Sequence, residues 1–261
     1  MNLTARVLVS QLKNVARSRW VIGYGLLLLL CTGLLLRFGG TGDRALLSLL
    51  NVVLLLLPLV SVMFGVLYVH NAREFIELLL AQPVGRGSLY TGLFFGVVTP
   101  LVLAFLLGVG TPLLLQGGTP EYFGRCALLL GAGTLLTIAF TALAVAVAVR
   151  FEDRARALGM ALLVWLVAAL VYDGLLLFVA TTFGEYPLET PLLVMVFLNP
   201  VDLARVALLM SFDVSALMGY TGAVYEKFFG TGGMALALLM LLVSGAVPFL
   251  LGRRWFLRKD F

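Results

Sequence analysis

Few residues in this chain carry reactive chemistry, and their spacing decides what they can do. The 261 residues include one histidine, His70, so neither a hydrolytic triad nor a histidine-rich metal site has material to use. Cys31 and Cys126 lie far apart in apolar runs with no Cys-x-x-Cys pair, and read as small packing hydrophobes. The eight methionines show no close pairing, which argues against a thioether relay for copper. None of the lysines, Lys13, Lys227 and Lys259, follows a glycine, so there is no Walker A loop to cradle phosphates. Gly131-x-Gly133 lies in an apolar run without a preceding strand and is no dinucleotide fingerprint. No residue is assigned a catalytic or metal-ligating role.

Four polar groupings remain. The stretch from Arg73 to Tyr90 continues an apolar run with acids at Glu74 and Glu77 and apolar Phe75 and Leu80 between and after them. It stops at Pro83 and turns through Gly85, Arg86 and Gly87, which predicts a rigid hook suited to a groove on a partner; taken alone it also fits an ordinary solvated loop. A second, short stretch runs Arg150-Phe151-Glu152-Asp153-Arg154-Ala155-Arg156. Asp173 stands inside an apolar run, where a charge costs about 2.5 to 3.5 kcal/mol on insertion scales, so it must face a helix interface or a cavity. Both polar packing and a mechanistic role fit it. Finally, Asn199-Pro200 with Asp202 supplies a cap, a first-turn proline and an acid at the positive helix end, which predicts a short helix over 200–210. Asp213 offers a cap for another running towards Met218.

The elements that must position these groups are membrane spans. The chain is 62% hydrophobic and only 12% charged, with a mean hydropathy of +1.09, whereas a soluble domain is about half apolar and about a quarter charged. Apolar runs predict spans near 20–36, 45–69, 93–115, 125–149, 158–181 and 234–251, each long enough for a helix across about 30 Å of hydrocarbon. Their continuity rules out the alternation of a membrane barrel. The expected fold is an all-α membrane protein with six transmembrane helices. A single domain is expected over 1–261, with a hook loop over 70–92 and a periplasmic segment over 182–233 carrying short helices. Residues 192–198 are too few for a further span before Asn199 and Pro200 interrupt them.

Residues 1–19 place Leu3, Val7, Leu8, Leu12 and Val15 on one face, which predicts an amphipathic interfacial helix. The first span follows it without a small-residue cleavage pattern and reads as uncleaved. With the N-terminus inside, most of the 18 basic residues fall on the cytoplasmic side, and only Arg37, Arg44, Arg125, Arg205 and Lys227 fall outside. Both termini are therefore expected in the cytoplasm. The net charge of +5 sits at helix ends and forms no patch for nucleic acid. Tyr220, Tyr225, Phe228 and Phe229 suit an interfacial aromatic belt.

The hook carries a resemblance. Glu77-Leu78-Leu79-Leu80-Ala81-Gln82-Pro83-Val84-Gly85-Arg86 resembles the coupling-helix pattern Glu-x-x-Leu-Leu-Leu-x-x-Pro-Val-x-Arg of ABC-2 type permeases, although here the leucines follow Glu77 at once. Six spans, an N-terminal interfacial helix and the short basic loop look like the same family. The stretches Leu158-Gly159 through Tyr172-Asp173-Gly174, Leu198-Asn199-Pro200-Val201-Asp202-Leu203-Ala204-Arg205 and 216–223 resemble its NosY-type branch, part of the NosDFY complex that serves copper-site maturation of nitrous oxide reductase. The resemblance implies an inner-membrane permease working as a homodimer, with NosF-type ATPase subunits that bind ATP and Mg, and a NosD-type periplasmic protein. Contacts with the ATPase would come from Glu74, Phe75, Glu77, Leu80, Pro83, Arg86, Glu152, Asp153 and Arg154. Asn199, Pro200, Asp202 and Arg205 would lie where the periplasmic protein docks. This chain itself would hold no cofactor, and beyond these partners it would meet only lipid. Two other readings stay open: an ABC-2 exporter of a lipid, drug or other amphiphile, and a passive membrane scaffold or channel.

Overall fold

A computed structural model describes residues 18–39, 42–80, 85–183, 189–212 and 233–259, all helix, turn or loop with no strand among them. The interfacial helix expected over 1–19 falls almost wholly outside these residues, as do Pro83, the Asp213 cap and the aromatic cluster at 220–229. The helices are α1 (Arg19–Phe38), α2 (Gly42–Asn71), α3 (Arg73–Leu80), α4 (Arg86–Gln116), α5 (Pro120–Arg150), α6 (Arg154–Leu166), α7 (Tyr172–Thr182), α8 (Glu189–Leu198), α9 (Pro200–Ser211) and α10 (Met234–Arg258). A π-helical turn, Val167–Val171, joins α6 to α7. Among the described residues six helices are long and apolar enough to cross a membrane: α1, α2, α4, α5, the α6–α7 rod and α10.

The α5 helix is the axis of the packing, contacting α2, α4, α6, α9 and α10. It starts cleanly because Thr119 caps it, its hydroxyl accepting from the Tyr122 amide at 3.4 Å, with Pro120 in the first turn. Its second half is rich in alanine, and Ala139, Ala142, Ala144, Ala146 and Ala148 are buried. Lipid offers no hydrophobic drive for helices to associate, so close approach must supply the attraction through dispersion. Small residues permit it. A Cβ on Gly65 of α2 would stand 2.6 Å from Ala144, and one on Gly245 of α10 would stand 3.3 Å from the Ala139 backbone. At Gly252 of α10 an added Cβ would meet the Tyr90 hydroxyl and the Ala146 Cα. Polar side chains in this core bond their own helix: Thr137 donates to the Gly133 carbonyl at 2.8 Å and Thr141 to the Thr137 carbonyl at 2.7 Å.

Two features depart from the expected rods. The fifth span is expected as one uninterrupted helix, whereas the π turn inserts a wider coil in its middle. After it short helices are expected, and the chain makes them, with residues 192–198 forming no straight span. Instead α8 and α9 meet at 115° around Asn199, and α9 packs among α2, α5 and α10. The reason is composition: Val201, Leu203, Ala204, Val206, Ala207 and Leu208 are all buried, leaving little of α9 fit for water. The predicted helix over 200–210 is therefore present, one residue longer and set into the bundle.

Candidate functional site: two polar clusters on one helical bundle

The hook begins as an extension of α2. The Ala72 amide bonds the Tyr68 carbonyl and the Ile76 amide bonds the Ala72 carbonyl, both at 2.9 Å, so helical hydrogen bonding continues into α3. A load on α3 is thus carried by the same backbone as the second span. On α3, Ile76 is buried (1% exposed), Leu79 and Leu80 are half-buried against the core, and Glu74, Phe75 and Leu78 face away from it.

Charged groups then tie α3 to the loop between α5 and α6, and that loop to the end of α10. The Arg73 guanidinium lies 3.5 Å from Glu77, 3.9 Å from the Glu152 carboxylate, and donates to the Glu152 carbonyl at 3.1 Å. Glu152 also faces Lys259 at 3.8 Å, and Lys259 donates to the Val149 carbonyl at 2.9 Å. Arg86 donates to the carbonyls of Leu257 (3.3 Å) and Lys259 (3.0 Å), closing the C-terminal end of α10 as cations near helix ends do. Arg154 donates to the Asn71 side chain at 3.3 Å. His70 donates from Nδ1 to the Val66 carbonyl at 3.0 Å and serves its own helix. Exposed ion pairs contribute little stability each, so this set is better read as fixing geometry than as holding the fold. Burial, together with the nearby Arg73 and Arg150 cations, pushes the Lys259 ammonium below its ordinary pKa against the pull of Glu152. Asp153 caps α6, and the Arg156 amide donating to it at 2.8 Å holds its carboxyl below the usual range.

The second cluster lies about 28 Å further along the fifth span, taking 1.5 Å per residue from Arg154 to Asp173. There the Asp173 carboxylate meets the Arg205 guanidinium, which also contacts Asp202 at 3.2 Å. Asn199 is buried (3% exposed) and fully used. Its amide donates to Asp202 Oδ2 at 2.7 Å and to the Ala168 carbonyl at 2.7 Å, while its Oδ1 caps α9 through the Val201 amide at 3.1 Å. Ala168 belongs to the π turn, a wider coil of the kind found mostly as single turns within α-helices. The Tyr172 hydroxyl adds a bond to the Met195 carbonyl of α8 at 2.8 Å. One elbow, α8–α9, is therefore bonded to one irregular turn of the fifth span.

Of the residues singled out in the sequence, the structure gathers Glu77, Arg86, Glu152, Asp153 and Arg154 at the hook end, with Glu74 and Phe75 on the outer face of α3. It brings Asp173, which the sequence leaves isolated, onto Arg205, Asp202 and Asn199. Within this chain Asn199 and Asp202 (2% exposed) are buried, and Pro200 opens α9 beside them. Sequence reasoning missed Leu78, which at 61% exposure shares the outer face with Glu74 and Phe75 at helical spacing, a signal that was available. It also missed Arg73 and Lys259 as tie points.

Comparison with known proteins agrees with this architecture. Residues 7–261 match the ABC-2 family transporter protein family. The chain is 30% identical over 229 residues to the "Probable ABC transporter permease protein NosY" of Pseudomonas aeruginosa, covering 80% of this chain and 82% of that protein. It is 29% identical over 236 residues to the protein of the same name in Stutzerimonas stutzeri, covering 82% and 84%. With six apolar spans, an all-helical bundle and a family match over almost its whole length, the chain belongs to the ABC-2 family as a membrane permease subunit of an ABC transporter.

Proposed function

We propose that this permease is NosY-like and converts ATP binding and hydrolysis by separate NosF-type subunits into movement of its spans, in the service of copper-site maturation of nitrous oxide reductase. It works as a homodimer in the inner membrane with both termini in the cytoplasm, and a NosD-type protein meets its periplasmic side. The observation that carries this reading is the hook. Helix α3 presents Glu74, Phe75 and Leu78 outward on a backbone continuous with α2, while Arg73 links it to the loop between α5 and α6 and, through Glu152, to the end of α10. A push on such a helix reaches three spans at once. The second cluster supplies a place for movement to be expressed, since the elbow is held to the fifth span by a few polar bonds that can break and reform.

Replacing Glu77 with Lys sets a second cation beside Arg73 at the base of this face. The expected result is a permease that inserts and folds but no longer retains its ATPase on affinity purification from native membranes. Normal ATPase retention by that variant, or labelling of a cysteine at position 74 from the periplasmic side, would overturn the assignment. Copurification of a periplasmic protein with the ATPase supports the maturation role; an ATPase alone, with nitrous oxide reductase maturing normally without this permease, refutes it.

A further inference from the structure

A crevice of about 460 Å³ opens between the first turn of α1 and the last turns of α2, a size within the usual range of about 300–1,000 Å³ for small-molecule sites. Its wall is a helical stripe of α2, with Val60, Met63, Phe64 and Leu67 on it, while the opposite stripe, Val62, Val66 and Val69, is buried in the core. At one end the chemistry changes. Asn71 and Arg154 stand there with Ser18, and Trp20, 78% exposed, lies across the first turn of α1.

The cation at this end is available. Among the described residues Arg154 makes one hydrogen bond, to Asn71, and no carboxylate lies in ion-pair contact with it. The two nearest acids in sequence are engaged: Asp153 caps α6, and Glu152 faces Arg73 and Lys259. An apolar trough that ends in an arginine, an amide and a hydroxyl, with an indole at the border, matches an amphiphile with an anionic head. A free phosphate would leave the trough empty, and a zwitterionic lipid would bring its own cation to compete with the arginine for its phosphate. Cationic pockets between spans at headgroup level are a known means of holding acidic lipids, and tryptophan favours the same depth.

We infer that this crevice binds an anionic phospholipid, with the headgroup on Arg154 and Asn71 and an acyl chain along Val60, Met63, Phe64 and Leu67. Because Asn71 ends α2 and Arg154 opens α6, the lipid braces the joint from which the hook springs. The site does not depend on the identity of the ATPase or of the cargo.

Native mass spectrometry of the purified permease complex, titrated with phosphatidylglycerol and separately with phosphatidylcholine, tests it. Phosphatidylglycerol should remain bound in preference to phosphatidylcholine. Arg154→Gln, which removes one cation near the membrane surface, should weaken that adduct about fivefold, and Met63→Trp, which fills the trough, should weaken both lipids. Arg258→Gln, a cation outside the crevice, should change neither. Equal uptake of the two lipids, or unchanged phosphatidylglycerol binding in both crevice variants, overturns the inference. So does a cross-link from residues 1–17 to position 63 with no lipid bound, which would make the chain's own leading segment the occupant.

Discussion

Replacing Asn199 with Ala should be among the most damaging single changes in this permease. Three bonds end together: the cap on α9, the bond to Ala168 in the π turn and the bond to Asp202. Loss of an N-cap costs about 1 kcal/mol, and each buried acceptor left without a donor costs about 1 to 3 kcal/mol. The sum is about 3 to 7 kcal/mol, and local relaxation of the elbow holds it near the lower end. For a chain of this size that is a fall in melting temperature of about 10 °C, read at one scan rate in nanodiscs. Asn199→Asp separates the contributions. It retains the oxygen that caps α9, yet turns acceptors towards the Ala168 carbonyl and the Asp202 carboxylate, so it should stay well below wild type. If the Ala variant melts within about 2 °C of wild type, or the Asp variant equals wild type, the elbow is not held to the fifth span by this side chain, and the reasoning fails.

Other expectations follow from packing and charge. Gly252→Leu drives a side chain into Tyr90 and the Ala146 backbone and should destabilise by about 1 to 3 kcal/mol or more, whereas Ala at Gly159 or Gly174, where a Cβ meets nothing, should be neutral or slightly stabilising; thermal melts of the three variants check this. Ile76→Ala should cost about 2 to 4 kcal/mol by opening the base of α3, while Leu78→Asp should leave the melt unchanged and abolish ATPase capture in a pull-down. Asp153→Ala should loosen the first turn of α6, seen as faster exchange of the Arg156 amide. Because the Asp153 carboxyl is held below its ordinary pKa when folded, its stabilising contribution is complete above the unfolded carboxylate pKa and disappears as pH falls through the lower folded value; protection of the same amide followed through acid should show that loss.

The spans were legible because lipid leaves a chain so few choices. A run such as Leu93 to Leu115 must be helical throughout to satisfy its backbone, and its hydropathy marks it without any tertiary information. What hydropathy left open was the packing of the segment after the fifth span. Asn199, Pro200 and Asp202 correctly announced a helix start, since a cap depends on four local residues. The same three residues gave no sign of what the helix would pack against. In the folded chain Asn199 and Asp202 satisfy each other, and the apolar remainder of α9 is free to pack among α2, α5 and α10.

The two polar clusters differ in how far sequence could reach them. The hook is local: acids, a leucine run, a proline and two glycines within 18 residues define it, helical spacing marks its outward face, and only the ties through Arg73 and Lys259 needed the folded chain. The Asp173 cluster joins residues 26 to 32 positions apart, and its anchor is a backbone carbonyl whose residue, Ala168, carries no side-chain signal at all. A π turn adds one residue to a helical coil without changing composition, so Val167 to Val171 reads as ordinary span. Its consequence is chemical. The Ala168 carbonyl within it accepts from the Asn199 amide, and just beyond it Asp173 meets Arg205. The charge that looked prohibitive inside the fifth span is tolerable because its counter-charge arrives from α9, on a helix that would not be there if the elbow at Asn199 did not bend the chain back by 115°.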